Sequence, residues 1–134
     1  MAASVNETDK VRVLMVEDEF FIAEWVAESL VDLGFAVEVV SNARDALRCL
    51  ASAAVDVLFT DINLPGGMDG AALARQARQL LPRLPVIYAS ARVPMLEPEA
   101  RVLGGIFVRK PYEPEMVGRL ISEVMQPIAA AVPA

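Results

Sequence analysis

The sequence contains no histidine and a single cysteine, Cys49, among its 134 residues. The first absence removes histidine-based catalytic triads, histidine-ligated zinc and any histidine phosphodonor within the chain, so phosphoryl chemistry would have to be supplied from outside. The second excludes an internal disulfide and suits a reducing cytoplasm, the expected compartment. No apolar run approaches the roughly 18 residues of a membrane span. The opening MAASVNETDK has no basic segment followed by an apolar stretch, so a secretory signal is not expected there. Positive charge is also scarce. Twelve Lys and Arg against 18 Asp and Glu leave a net charge of −6, which argues against a surface for nucleic-acid phosphates and hence against direct DNA binding. The length suits one domain, burying roughly two thirds of its unfolded surface around one core, and leaves no room for a second. No internal repeat is visible.

What is present is globular composition on the apolar side, 55% hydrophobic with 22% charged residues. Short β-rich runs alternate with helical patterns, as expected of parallel strands joined by crossover helices. Five βα units can be read, with strands at Val11 to Val16, Ala36 to Val40, Val55 to Thr60, Pro85 to Ala89 and Gly105 to Arg109. Most are nearly continuous in apolar residues, as strands covered on both faces must be; AVEVV is more mixed, the pattern of an edge strand. Ile22, Trp25, Val26, Leu30 and Leu33 recur at helical spacing, and Gly34 can end that helix. Asn42 can cap a second helix bearing Ala46, Leu47 and Leu50. A third runs from about Asp69, its cap, to Leu81 before Pro82, and a last begins near Pro114 and presents Met116, Val117, Leu120, Ile121 and Val124. Between Ser90 and Lys110, Pro94, Pro98, Gly104 and Gly105 leave room for only about two turns of a fourth helix, near Glu97 to Leu103. The organisation expected is a flexible segment 1–10, a domain 11–125 and a tail 126–134.

The chemistry gathers at strand ends. The first strand ends in Val16-Glu17-Asp18 and the third in Thr60-Asp61, which brings three carboxylates to the carboxyl edge of a sheet, where open α/β folds bind ligands. Acids at 4 Å repel by about 4 kcal/mol per pair at an effective dielectric near 20, and a cation would relieve this. Oxygen ligands without nearby Cys or His select a hard ion such as Mg²⁺. The fourth strand ends in Tyr88-Ala89-Ser90 and the fifth in Arg109-Lys110-Pro111, adding a hydroxyl and an ammonium at the same edge. A nucleophilic carboxylate, a cation, a lysine and a hydroxyl together define a phosphoryl site. Cys49, in an apolar helix pattern, reads as a buried small hydrophobe. Each strand-end feature has a plainer reading alone: Glu17-Asp18 as a helix N-terminal signal, Asp61 as a turn residue, Lys110 as a solvated loop lysine, Phe107 as core. Their joint occurrence at four strand ends favours the functional one.

At VLMVEDE, FTDINLP, MDG, VIYASA and VRKPY the sequence resembles the bacterial two-component response-regulator receiver domain, over about Val11 to Met125. The resemblance implies a doubly wound, flavodoxin-like α/β fold of five parallel strands in the order 2-1-3-4-5 flanked by helices, here with a short or irregular fourth. It implies Asp61 as phosphoacceptor and Mg²⁺ or Mn²⁺ held by Glu17, Asp18, Asp61 and the backbone carbonyl of Asn63. Ser90 and Lys110 would bind the phosphoryl group, and Phe107 would take the switch aromatic position. The implied donor is a phosphohistidine on a sensor kinase or phosphotransfer protein, the output a shape change read by a protein partner, with homodimer formation as an option. Such a protein, acting as a stand-alone receiver, is not an enzyme beyond promoting its own phosphotransfer and dephosphorylation. LPGGMDG is one residue longer than the common spacing, serine stands where threonine is commoner, and Phe107 lacks a hydroxyl. A constitutive, unphosphorylated adaptor is the alternative. A phosphohydrolase is disfavoured because Asn63 stands where a second acid would protonate the leaving group.

Overall fold

Both faces of every central strand carry apolar side chains, so each must be covered by helices. A computed structural model describes residues 9–91 and 101–126 and satisfies that requirement. In chain order the elements are β1 (Arg12–Val16), α1 (Phe20–Asp32), β2 (Ala36–Val40), α2 (Ala43–Ser52), β3 (Val57–Asp61), α3 (Gly70–Leu80), β4 (Val86–Ser90), β5 (Ile106–Arg109) and α4 (Pro114–Val124). The strands form one parallel sheet in the order β2-β1-β3-β4-β5. On one face Val13, Met15, Val57, Phe59, Ile87 and Val108 pack under α1 and α4. On the other, Leu14, Val16, Leu58, Val86 and Tyr88 pack under α2 and α3. The mixed run AVEVV is an edge strand, half-exposed along its length.

Helix ends follow local chemistry. Gly34, at φ +104°, lets Phe35 N–H reach the Leu30 carbonyl and its own N–H reach that of Val31, which closes α1. Asn42 accepts from Asp45 N–H at 2.8 Å, and Asp69 accepts from Ala72 N–H at 2.8 Å. Pro114 opens α4.

Strand boundaries differ from the sequence reading by one or two residues, for identifiable reasons. β3 begins at Val57 because Asp56 leaves the ladder: its carboxylate accepts Arg12 N–H, and its N–H donates to the Arg12 carbonyl, both at 2.8 Å. Pro85 has no N–H and stays outside β4. At the other ends pairing runs one residue further, through Asp61 and Ser90, which are held by the bonds Ile62 N–H to Ala89 C=O and Lys110 N–H to Ser90 C=O. β5 starts at Ile106, after Gly105 N–H has turned back to the Val102 carbonyl. The helix expected near Glu97 to Leu103 lies outside the described residues except for its last three, and Leu103-Gly104 form a turn. The expected end segments, 1–10 and 126–134, also fall almost wholly outside them.

Gly70 is where the sheet edge meets α3. A Cβ built there collides with the Asp61 carbonyl oxygen and comes within 2.9 Å of Ile62 Cα, while Gly70 N–H donates to the Ile62 carbonyl at 2.7 Å. Backbone on both sides leaves nothing flexible to yield. Gly70→Ala is therefore expected to destabilise the chain by about 2 to 4 kcal/mol in urea denaturation; an unchanged midpoint would mean that this junction is not tightly packed.

Candidate functional site

Because β1 and β3 are adjacent and β4 and β5 follow, residues from four separate strand ends converge on one edge. Glu17 and Asp18 follow β1, Asp61 and Ser90 close β3 and β4, and Lys110 follows β5. Glu17 and Asp61 are only 3% and 7% exposed, Ser90 is buried, and Asp18 is open to solvent. Lys110 Nζ donates to Asp61 Oδ1 at 2.7 Å and to Glu17 Oε1 at 3.1 Å. The second Glu17 oxygen accepts Glu19 N–H at 3.1 Å, and Glu17 N–H donates to the Val40 carbonyl, so this acid is held at both ends.

One ammonium cannot neutralise two buried carboxylates with a third beside them. Burial pushes the Asp61 carboxyl up to about 7; the Lys110 bond opposes this and the neighbouring Glu17 reinforces it. Burial pulls Lys110 down, but Asp61 and Glu17 outweigh it and hold the ammonium above its ordinary range. A carboxylate oxygen from each of Glu17, Asp18 and Asp61 lies within 4.8 Å of the others. An all-oxygen donor set with surplus negative charge fits a hard divalent cation.

Asn63 stands in the exposed turn two residues beyond Asp61. Phe107 is not in the cluster. It lies on the α2/α3 face, three residues before Lys110, with its ring stacked on Tyr88 at 5.0 Å between centroids. Three residues near the site were not singled out from the sequence. Tyr112 packs edge-on against Phe59 at 5.6 Å, and burial, with Glu17 and Asp61 nearby, raises its phenol. Its signal was only its place in VRKPY. Gly70 was visible as the last letter of MDG, but nothing in that motif announces that a Cβ there would meet the Asp61 carbonyl. The signal for Tyr88 was only its place in VIYASA.

The response regulator receiver domain model matches residues 13–121. The chain belongs to that family. The receiver shares 33% identity over 88 residues with the sensor histidine kinase RcsC of Escherichia coli, a match covering 66% of this chain and 9% of the kinase. It shares 42% over 80 residues with the DNA-binding transcriptional regulator NtrC of E. coli K12, covering 59% of this chain and 17% of that protein. It thus spans only a small part of these curated relatives. A response regulator receiver protein from Sinorhizobium medicae superposes with a TM-score of 0.81 at 29% identity, over 87% of this chain and 95% of that one. This is a receiver homologous to domains of two-component kinases and regulators, and among the described residues no helix is long and apolar enough to cross a membrane.

The crowded charge has a measurable consequence. Asp61 holds its proton to about pH 7 when folded, against 3.8 ordinarily, so between these values the folded receiver binds more protons than the unfolded chain. Stability must then fall as pH rises through that window and stay lower above it. Asp61→Asn is expected to exceed wild type by about 1 to 3 kcal/mol in urea denaturation at pH 8 with chelator, and to show no such gain at pH 4. Millimolar Mg²⁺ should narrow the gap at pH 8 by stabilising wild type. Equal stabilities at both pH values would show that ionising Asp61 in this buried, acidic site costs nothing.

Proposed function

We propose that this receiver accepts a phosphoryl group on Asp61 from a phosphohistidine of a sensor kinase or phosphotransfer protein and signals to a protein partner by changing shape. The observation that carries this reading is the Lys110 ammonium bridging Asp61 and Glu17 at 2.7 and 3.1 Å beside a third carboxylate. An Asp61 oxygen attacks phosphorus as the P–N bond to imidazole breaks, giving a mixed anhydride; water later releases inorganic phosphate and restores the carboxylate. Glu17, Asp18, Asp61 and the Asn63 carbonyl would hold Mg²⁺ or Mn²⁺, which when bound offsets negative charge on carboxylate and phosphoryl oxygens. Lys110, already on Asp61, pairs with the incoming phosphoryl oxygens, and the Ser90 hydroxyl donates to them. The added group brings roughly 1.5 to 2 negative charges into an acidic site, so this compensation is needed. The receiver promotes only its own transfer and hydrolysis, works in the cytoplasm and does not bind DNA directly.

The test is intact mass after incubation with Mg²⁺ and acetyl phosphate. Wild type should gain one labile phosphoryl group and Asp61→Asn none. Lys110→Ala should still bind Mg²⁺, followed by the fluorescence of the single Trp25, but lose most of the conformational response. A stable adduct on Asp61→Asn would move the site elsewhere, and no adduct with Mg²⁺ bound would favour a constitutive adaptor.

The donor's contact surface is the start of α1. Phe20 and Phe21 are exposed, Phe21 by 81%, directly after the acidic pair. Trp25, Ile22 and Tyr112 line an apolar cavity of about 210 Å³ reaching Lys110. Phe21→Ala with Trp25→Ala should slow transfer from a phosphorylated histidine phosphotransfer protein about tenfold or more, yet leave acetyl phosphate labelling within about twofold. Equal slowing of both would mean the residues act on the site itself.

A further inference from the structure

Tyr88 is the largest side chain with no exposed surface, yet it carries a hydroxyl, a group that needs a hydrogen-bond partner when buried. That partner is distant in sequence: the backbone N–H of Val102 donates to Tyr88 Oη at 3.1 Å. Val102 belongs to the short stretch that leads into β5, and this stretch is secured a second time from α3. Arg78 Nη2 donates to the Leu103 carbonyl at 2.7 Å while its Nε donates to that of Leu84 at 2.6 Å. Gly105 N–H closes the turn onto the Val102 carbonyl at 3.1 Å. A Cβ on Gly105 would stand 2.8 Å from the Tyr88 ring, so the glycine is what lets the strap lie on the tyrosine. The strap ends with Leu103 held outward, 91% exposed.

The Tyr88 ring also fixes Phe107. The two are register partners across β4 and β5, their planes 22° apart, and the Arg101 guanidinium lies 5.1 Å from the Phe107 centroid. Phe107 is thus in contact with a ring and a cation, and it has no hydroxyl. Ser90 lies two residues beyond Tyr88 on the same strand, so the two side chains share a face.

We propose that Tyr88, and not Phe107, is the positioning residue that couples the acceptor site to the surface, with its hydroxyl acting as the post from which the strap 101–104 hangs. Movement of Ser90 shifts β4, Tyr88 carries the shift to Val102 N–H, and Leu103 is re-presented to the partner. The coupling rests on the reading of Asp61 as phosphoacceptor; the tether does not.

The experiment is amide hydrogen exchange by NMR on the 134-residue chain, wild type, Tyr88→Phe and Arg78→Gln, with and without Mg²⁺ and acetyl phosphate, with intact mass taken on the same samples. Without the phosphodonor, Tyr88→Phe should speed Val102 exchange about tenfold, the effect of losing one hydrogen bond, with cooperative melting retained. Arg78→Gln, which removes the bond to the Leu103 carbonyl, should speed exchange of Gly105 N–H at the turn and spare the Tyr88 bond. With the adduct formed, wild type should alter exchange at Val102 and at the turn to Gly105, whereas Tyr88→Phe should accumulate the same adduct without that change. Unaltered Val102 exchange in unphosphorylated Tyr88→Phe would overturn the tether, and a full response in phosphorylated Tyr88→Phe would overturn the coupling. Absence of an adduct in every protein would overturn the acceptor reading, and with it the coupling, while the first comparison still decides the tether.

Discussion

The ammonium of Lys110 stands between two carboxylates that the fold has taken out of water, and much of the functional edge can be understood from that one shared charge. Removing a single carboxylate from solvent costs several kcal/mol unless it is paired. Here Asp61 and Glu17 draw on the same partner, with Asp18 close by. The result is a site that is held together and still short of positive charge. A fully neutralised cluster would be inert toward a cation or a phosphoryl group, and an unpaired one would drive its strands apart. The intermediate state favours a hard cation and leaves the Asp61 carboxyl poised near neutrality.

The sheet order makes this arrangement possible. Lys110 reaches Glu17 over 93 positions of sequence because β1, β3, β4 and β5 are consecutive neighbours, so residues just past their carboxyl ends share one edge. The apolar demand on both faces fixes which side chains point to the helices, and register then leaves Asp61 and Ser90 as the last paired residues of their strands. Rigid pairing up to Asp61 explains why Gly70 must be glycine: α3 starts where the backbone of Asp61 and Ile62 passes, with no room for a methyl group.

Much of this was legible in the sequence, for physical reasons. Five apolar runs separated by helical stripes imply a parallel sheet covered on both faces, and the caps at Asn42, Asp69 and Gly34 follow from side-chain and backbone chemistry that acts within a few residues. Polar residues at successive strand ends stand out because a buried sheet has no other use for them. Exact strand ends were less legible: Asp56 leaves its ladder by a side-chain bond to Arg12, a long-range pairing that no local pattern announces. The glycine at 70 and the tyrosines at 88 and 112 were missed for the same reason, since each takes its meaning from a residue remote in the chain.

Tyr88 shows how packing redistributes a task within one architecture. An aromatic side chain on β5 with a hydroxyl could both fill space and hold a hydrogen bond, but phenylalanine at 107 can do only the first. In this receiver the hydroxyl sits one strand over, and the rings stack so that a single aromatic pair still joins β4, β5 and the strap before β5. The division has a mechanical consequence. The Phe107 ring stacks on Tyr88 and has the Arg101 guanidinium 5.1 Å from its centroid, but it has no hydroxyl to hold the strap, so a movement started at Ser90 has its hydrogen-bonded route through Tyr88. Coupling of that kind gives small displacements over a short lever, which suits a signal delivered through one exposed leucine held at the end of a pinned turn.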